Sequence, residues 1–189
     1  MDRPRFSDRH MSVEYYTALG RLNDAFTAAE IDLTACIKLL ATRDVPEAHR
    51  DIVVALIGGM RMKAAKDVIN RLLRVCGQGK ATQEHVAKVF GQLGEIQWLR
   101  DRLAHNLTMR AGQSIATPKT FINSGIDNYL EWDKVVTFGF DIEAMEAATA
   151  DLTIIPDHLG DIWNAVLENL QIPTLVLPPW QYKSSMLDR

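Results

Sequence analysis

Apolar side chains recur every three or four residues from Ser12 to about Thr42, and this spacing constrains the fold more than any other feature of the sequence. It is the spacing of one face of an α-helix, so it predicts a first helix of about 30 residues. Ser12 is the predicted N-cap. The predicted buried face consists of Val13, Tyr16, Leu19, Leu22, Phe26, Ala29, Leu33, Cys36 or Ile37, and Leu40.

A second helix is predicted from about Pro46 to Cys76, with two glycines, Gly58 and Gly59, in its interior. Glycine costs about 1 kcal/mol relative to alanine inside a helix, so the pair indicates either a kink or the close approach of another helix. The predicted buried face of this helix consists of Val53, Leu56 or Ile57, Met60, Ala64, Val68, Leu72 and Val75.

Two more helices follow the same spacing. The third covers roughly Ala81 to Ala104, and the fourth begins at Asp141 as N-cap and continues to about Leu170, with a kink or interruption at Pro156. Helices joined by short turns pack antiparallel. The sequence therefore predicts a mainly α fold, a four-helix up-down bundle over residues 12–170.

The regions outside these helices have a different composition. Residues 1–11 are predicted to be a flexible leader, and residues 108–140 a small β-hairpin insert between helices three and four, with a strand at Val135–Phe140. Residues 171–189 contain prolines and a tryptophan and are predicted to form an extended tail, docked either on the protein itself or on a second subunit.

Composition narrows the class of protein. The chain is 47% hydrophobic, carries a formal net charge of −3 and contains two cysteines. No apolar run approaches the roughly 20 residues that cross a bilayer, so no membrane association is expected. A disulfide framework is not expected either, and a cytoplasmic protein is predicted, with Cys36 and Cys76 as core residues. Residues 1–110 hold 17 Lys/Arg and 13 Asp/Glu, which suggests either an anionic partner or attraction to the acidic remainder of the chain.

Arg100 breaks the pattern of the third helix, because it falls at the centre of that helix's predicted apolar face. A guanidinium stays charged in proteins, so it needs a carboxylate, carbonyls, a bound anion or a wet cleft. His105 follows five positions later, about 140° around a regular helix. The two side chains can therefore meet only if the helix loosens near Ala104, which Asn106 favours, or if a second chain completes the pair.

The segment Arg100-Asp101-x-x-x-His105 resembles the arginine, polar residue, spacer, histidine motif of HEPN domains. The resemblance implies a dimeric helical bundle and a metal-independent endoribonuclease of toxin or defence type, without a cofactor, with RNA as substrate and an antitoxin or other protein as partner. It implies that His105 transfers protons and that Arg100 binds the phosphate. Asp101 would orient His105, and Asn106 would hydrogen-bond the phosphate.

Two alternatives stay open for the motif. In the first, Arg100 is a structural residue held by an ion pair, and His105 interacts favourably with the C-terminal dipole of the helix. In the second, the motif forms a non-catalytic nucleotide or RNA pocket in a binding or assembly module. Separately, the second helix carries a basic track, Lys63, Lys66 and Arg74, and Arg102 is predicted on the solvent face of the third helix. These four cations form either a candidate nucleic-acid-binding surface or only a solvated face. No zinc-ligand spacing and no phosphate-binding glycine loop is present.

Overall fold

A computed structural model describes residues 13–60, 62–105, 107–110, 120–126, 135–168 and 179–186. The predicted leader lies outside these ranges, and so does residue 106. The described chain is mainly helical, as predicted. Its elements are α1 (Val13–Thr42), α2 (Glu47–Ile57), α3 (Met62–Val75), α4 (Lys80–His105), β1 (Leu107–Arg110), β2 (Thr120–Ile126), β3 (Val135–Asp141), α5 (Ile142–Leu167) and a 3₁₀ turn, Ser184–Met186.

The predicted second helix is wrong as a single element, because the chain breaks at the glycine pair. The N–H of Gly58 still donates to the carbonyl of Val54 at 3.0 Å, but its ψ of 135° leaves the helical region. Gly59 then adopts a φ of 74°, which glycine reaches without the steric cost of a Cβ. The helix restarts as α3, so the described chain has five helices where four were predicted.

This break also changes which residues of α3 face inward. The buried positions are Ala65, Ile69 and Leu73, one residue later than the predicted face. Val75 was predicted to be buried and is 85% exposed. A helical phase counted from α2 does not continue across an irregular turn, and this is why the prediction fails here.

The inward face of α1 is confirmed from Leu22 onward, where the predicted apolar positions are buried. Its first turn differs. Tyr15 and Ala18 are buried there, whereas Val13 and Tyr16 were predicted to be inward and are exposed. Residues 12–22 are apolar on more than one side, so periodicity alone did not fix the phase.

Three antiparallel strands follow α4, in the spatial order β1-β2-β3. Leu107 pairs with Ser124 across the first ladder, and Phe121 pairs with Phe140 across the second. The sequence had suggested a hairpin in this region. Asp141 ends β3, and its Oδ1 accepts the backbone N–H of Ala144 at 2.9 Å, which confirms it as a capping residue of α5. The helix then runs through Pro156 to Leu167.

The chain divides into two compact units. Unit 1 takes the described parts of 1–24, 95–151 and 181–189, and unit 2 those of 25–94 and 152–180. The long helices α1, α4 and α5 contribute residues to both. The interior of unit 1 includes Leu22, Ile96, Leu99, Leu103, Met145 and Tyr182, and that of unit 2 includes Phe26, Ile37, Ile69, Leu73, Leu93 and Ile155. Among the helices of the described ranges, none has the length and apolar run needed to span a bilayer.

Candidate functional site

Arg100 lies beside the buried face of α4 and not at its centre. The inward positions at this end of the helix are Ile96, Leu99 and Leu103, all at most 5% exposed. Arg100 is offset from Leu99 by about 100° on a regular helix. Its side chain is 35% exposed, so the expectation of a fully inward cation is wrong.

The guanidinium of Arg100 binds the neighbouring carboxylate. Its Nη1 donates to Oδ1 of Asp101 at 3.0 Å, and the side chain of Asp101 is 42% exposed. An ion pair with this much exposure is worth about 0–1 kcal/mol, because water screens the charges and two side chains are ordered. The contact with Asp101 itself can therefore be exchanged for a contact with another anion at low free-energy cost.

The end of α4 is regular up to His105, so the predicted loosening near Ala104 is wrong. Positions 101 and 105 are four residues apart and share one face of the helix. Position 100 lies on a different face, but its guanidinium reaches the carboxylate at position 101. The side chain of His105 and all of Asn106 lie outside the described residues, so the predicted role of Asp101 in orienting His105 stays a prediction.

Arg102 is not on an open solvent face. It is half-buried, and its guanidinium carbon lies 5.0 Å from the ring centroid of Trp98, one helical turn earlier. Such a contact stabilises by about 0.5–1 kcal/mol at an exposed site. The Trp98 ring thus holds one of the four predicted nucleic-acid-binding cations against α4.

The other predicted basic residues lie on α3, in unit 2. Lys66 is half-buried and Arg74 is exposed in the last turn. A cation in that position also complements the helix dipole. Lys63 belongs to the same helix, but its side chain lies outside what the structure describes. The structure thus leaves the basic track open both as a nucleic-acid surface and as a solvated face.

Sequence reasoning missed a cluster of aromatic rings in unit 2. His85 on α4 and His158 on α5 have ring centroids 5.1 Å apart, and the ring of Trp180 lies 5.9 Å from that of His158. Both histidines are at least nine-tenths buried. Burial and the nearby His158 lower the pKa of His85. The sequence signal was a histidine on the inward side of each helix, which spacing alone did not connect.

A buried carboxylate in unit 1 was also missed. Asp151 is fully buried on α5, and its two oxygens accept the backbone N–H groups of Gln181 at 2.8 Å and of Tyr182 at 2.9 Å. An acidic residue between the inward positions Ala148 and Leu152 was the available signal. Asp151 thus anchors the C-terminal segment, residues 179–186, to α5 of the same chain.

The buried thiol of Cys36 is a packing group, as predicted. Its Sγ lies 3.8 Å from the carbonyl oxygen of Leu159, and burial raises its pKa to about 12. At that pKa the reactive thiolate is almost absent near neutral pH. Within the part of the chain that the structure describes, no group of three or more His, Cys, Asp or Glu side chains is arranged to hold a metal ion.

Comparisons with protein-family models, with curated proteins and with solved structures found no match to this chain.

Proposed function

We propose that the protein is a metal-independent endoribonuclease of HEPN type, which acts as a cytoplasmic homodimer and uses Arg100 and His105 on RNA. The observation that carries the proposal is the hydrogen bond from Arg100 Nη1 to Asp101 Oδ1. Because positions 101 and 105 share a face of α4, this bond holds the guanidinium at the face of the helix that carries position 105. A second copy would present the same segment across the interface, and an antitoxin or other protein would regulate it.

The chemistry needs an anion binder and a proton carrier. The ribose 2′-oxygen bonds to the adjacent phosphorus while the bond from phosphorus to the 5′-oxygen breaks. His105 takes the 2′-hydroxyl proton or gives a proton to the leaving 5′-oxygen, since an imidazole titrates near neutral pH, and solvent water carries out the other of these two proton transfers. Arg100 releases Asp101 and binds the phosphate, where its charge stabilises the transition state. Asn106 adds a hydrogen bond, and the products are a 2′,3′-cyclic phosphate and a 5′-hydroxyl.

The test is cleavage of end-labelled single-stranded RNA by the full chain in the presence of a chelator. We expect cyclic-phosphate ends, and a loss of at least about 100-fold in rate for His105→Ala, which is the lower range for removal of a general acid–base group. His49→Ala is the matched control, because His49 is an exposed histidine on α2. Its rate and the melting curves of both variants should equal those of the parent.

Two results contradict the enzyme. One is that His105→Ala cleaves RNA at the parent rate. The other is that the parent protein is dimeric but cleaves no RNA. Cleavage that depends on added divalent cations would contradict the metal-independent mechanism.

A second candidate is a non-catalytic binding or assembly module in which Arg100 is structural. The same 3.0 Å contact with Asp101 favours it. In that case Arg100→Gln and Asp101→Asn should each lower stability, and the part of each loss that comes from this pair should be up to about 1 kcal/mol in a double-mutant cycle. RNA binding without cleavage, together with a stability loss in both variants, would select this candidate.

A further inference from the structure

His85 and His158 form a row of three rings with Trp180. The planes of the two imidazoles are inclined at 66°, and those of His158 and Trp180 at 76°, so both contacts are edge-to-face. The exposed fractions of His85 and His158 are 6% and 8%. His158 is thus the middle ring, and it connects the α4 histidine to the C-terminal segment.

Two ring nitrogens in this row are not hydrogen-bonded. Nε2 of His85 and Nδ1 of His158 are buried, and neither finds a partner among the residues that the structure describes. Oδ2 of Asp161 lies 4.0 Å from His158 Nδ1, beyond hydrogen-bond distance. A buried nitrogen in this state costs free energy that contact with water would recover.

A proton on His85 would destabilise the closed state, in which the three rings are in contact. Burial is the largest cause that lowers the pKa of His85, followed by His158; the carboxylate of Asp161 raises it, and the ammonium group of Lys88 lowers it further. The charged groups that shift the pKa of His85 therefore come from both helices, Lys88 on α4 and Asp161 on α5. A cationic His85 would be buried beside a second imidazole, and separation of Trp180 from His158 would let water reach the pair.

We propose that the His85–His158 pair is a proton-operated latch on the C-terminal segment: when His85 takes up a proton, Trp180 leaves His158 while the helices stay folded. The latch is independent of the ribonuclease proposal, since none of its groups belongs to the motif. An accessible His85 titrates near pH 6.5, and in the closed state its pKa is lower. Release therefore begins as the pH falls below 6.5. Each further pH unit raises the ratio of open to closed molecules up to about tenfold until the closed-state pKa is reached.

The experiment uses the full chain labelled with 5-fluorotryptophan, followed by ¹⁹F NMR from pH 8 to pH 5. The chain has four tryptophans, and Trp180→Phe identifies the resonance of Trp180 by its absence. We expect the chemical shift of this resonance to change below pH 6.5, from that of the half-buried ring to that of a fully solvent-exposed tryptophan. The far-UV circular dichroism should stay constant over the same range.

Three variants test the charges. His85→Gln should remove the transition. Lys88→Gln should move its midpoint to lower pH, because loss of the ammonium group makes a protonated His85 less unfavourable in the closed state. Asp161→Asn should move it to higher pH, because loss of the carboxylate makes a protonated His85 more unfavourable there. Lys88 is exposed and Asp161 is half-buried, so this pair of variants keeps the test valid even where His85→Gln fails to fold.

His49→Gln and Lys80→Gln are the matched controls, since both residues are exposed on helices and neither acts on His85. Each should reproduce the parent midpoint. The latch is refuted if the Trp180 resonance does not change down to pH 5, or if Lys88→Gln and Asp161→Asn shift the midpoint in the same direction. It is also refuted if all four resonances change together with loss of helix.

Discussion

Oδ2 of Asp151 accepts the backbone N–H of Tyr182 at 2.9 Å, and both residues are at most 1% exposed. A carboxylate that is completely removed from water needs donors, and here the chain supplies two adjacent backbone N–H groups, those of Gln181 and Tyr182. The side chain of Tyr182 fills part of the interior of unit 1. Gln181 and Tyr182 are therefore part of the folded structure of this unit.

We expect Asp151→Asn to lower the free energy of unfolding by roughly 2–3 kcal/mol. The amide keeps one acceptor oxygen, but its NH₂ group faces a backbone N–H that loses its partner. Urea denaturation followed by circular dichroism measures the change. Asp157→Asn is the control, since Asp157 is exposed on the same helix and should change stability by less than about 0.5 kcal/mol. Equal stability of the two variants would show that the carboxylate does not anchor the segment.

Gly59→Ala and Gly20→Ala should change stability in opposite directions. Gly59 has a φ of 74°, so a Cβ there is strained although space is available, and we expect a loss of about 1–2 kcal/mol. Gly20 is exposed in the interior of α1 with no atom near an added Cβ, and alanine should stabilise by up to about 1 kcal/mol. Thermal and urea unfolding check both. A stabilising Gly59→Ala would mean that the turn between α2 and α3 has another conformation.

Cys36 should resist alkylation in the native protein. With a pKa of about 12 and a buried sulfur, its reaction with iodoacetamide at pH 8 should be at least about 100-fold slower than that of the half-buried Cys76. Mass spectrometry of peptides after timed quenching measures both rates. In 6 M guanidinium chloride the two cysteines should react alike, and native rates within a few-fold of each other would contradict the assignment of Cys36 to the interior.

The basic track of α3 predicts a salt-dependent contribution to RNA binding. If Lys63, Lys66 and Arg74 each contact a phosphate, replacing all three by glutamine should reduce the slope of log K against log salt by about 0.7 per contact. The control replaces three exposed cations elsewhere, Arg21, Arg50 and Lys80, so that the net charge is the same. Fluorescence anisotropy with a labelled single strand measures the slopes. Identical slopes in the two triple variants would leave α3 as a solvated face.

The sequence by itself determined the features that depend only on residues close together in the chain. Periodicity located the inward face of α1 from Leu22 onward and the helical regions. Asp141 was identified as a cap because an aspartate precedes a periodic apolar run, and its hydrogen bond reaches an N–H only three residues later. The Arg100–Asp101–His105 motif was found in the same way. The contact of the Arg100 guanidinium with Asp101 was not predicted, because the helical phase places positions 100 and 101 on different faces of the helix.

The tertiary structure decided whatever depends on residues that are distant in the chain. His85 and His158 lie on different helices, and Asp151 binds backbone groups 30 and 31 residues away, so no spacing within one segment could pair them. Likewise, the turn at Gly59 resets the helical phase of α3, and packing then decides which residues of α3 face inward. Helix formation is governed by neighbours along the chain, whereas burial and polar partners are set by whichever elements the fold brings together.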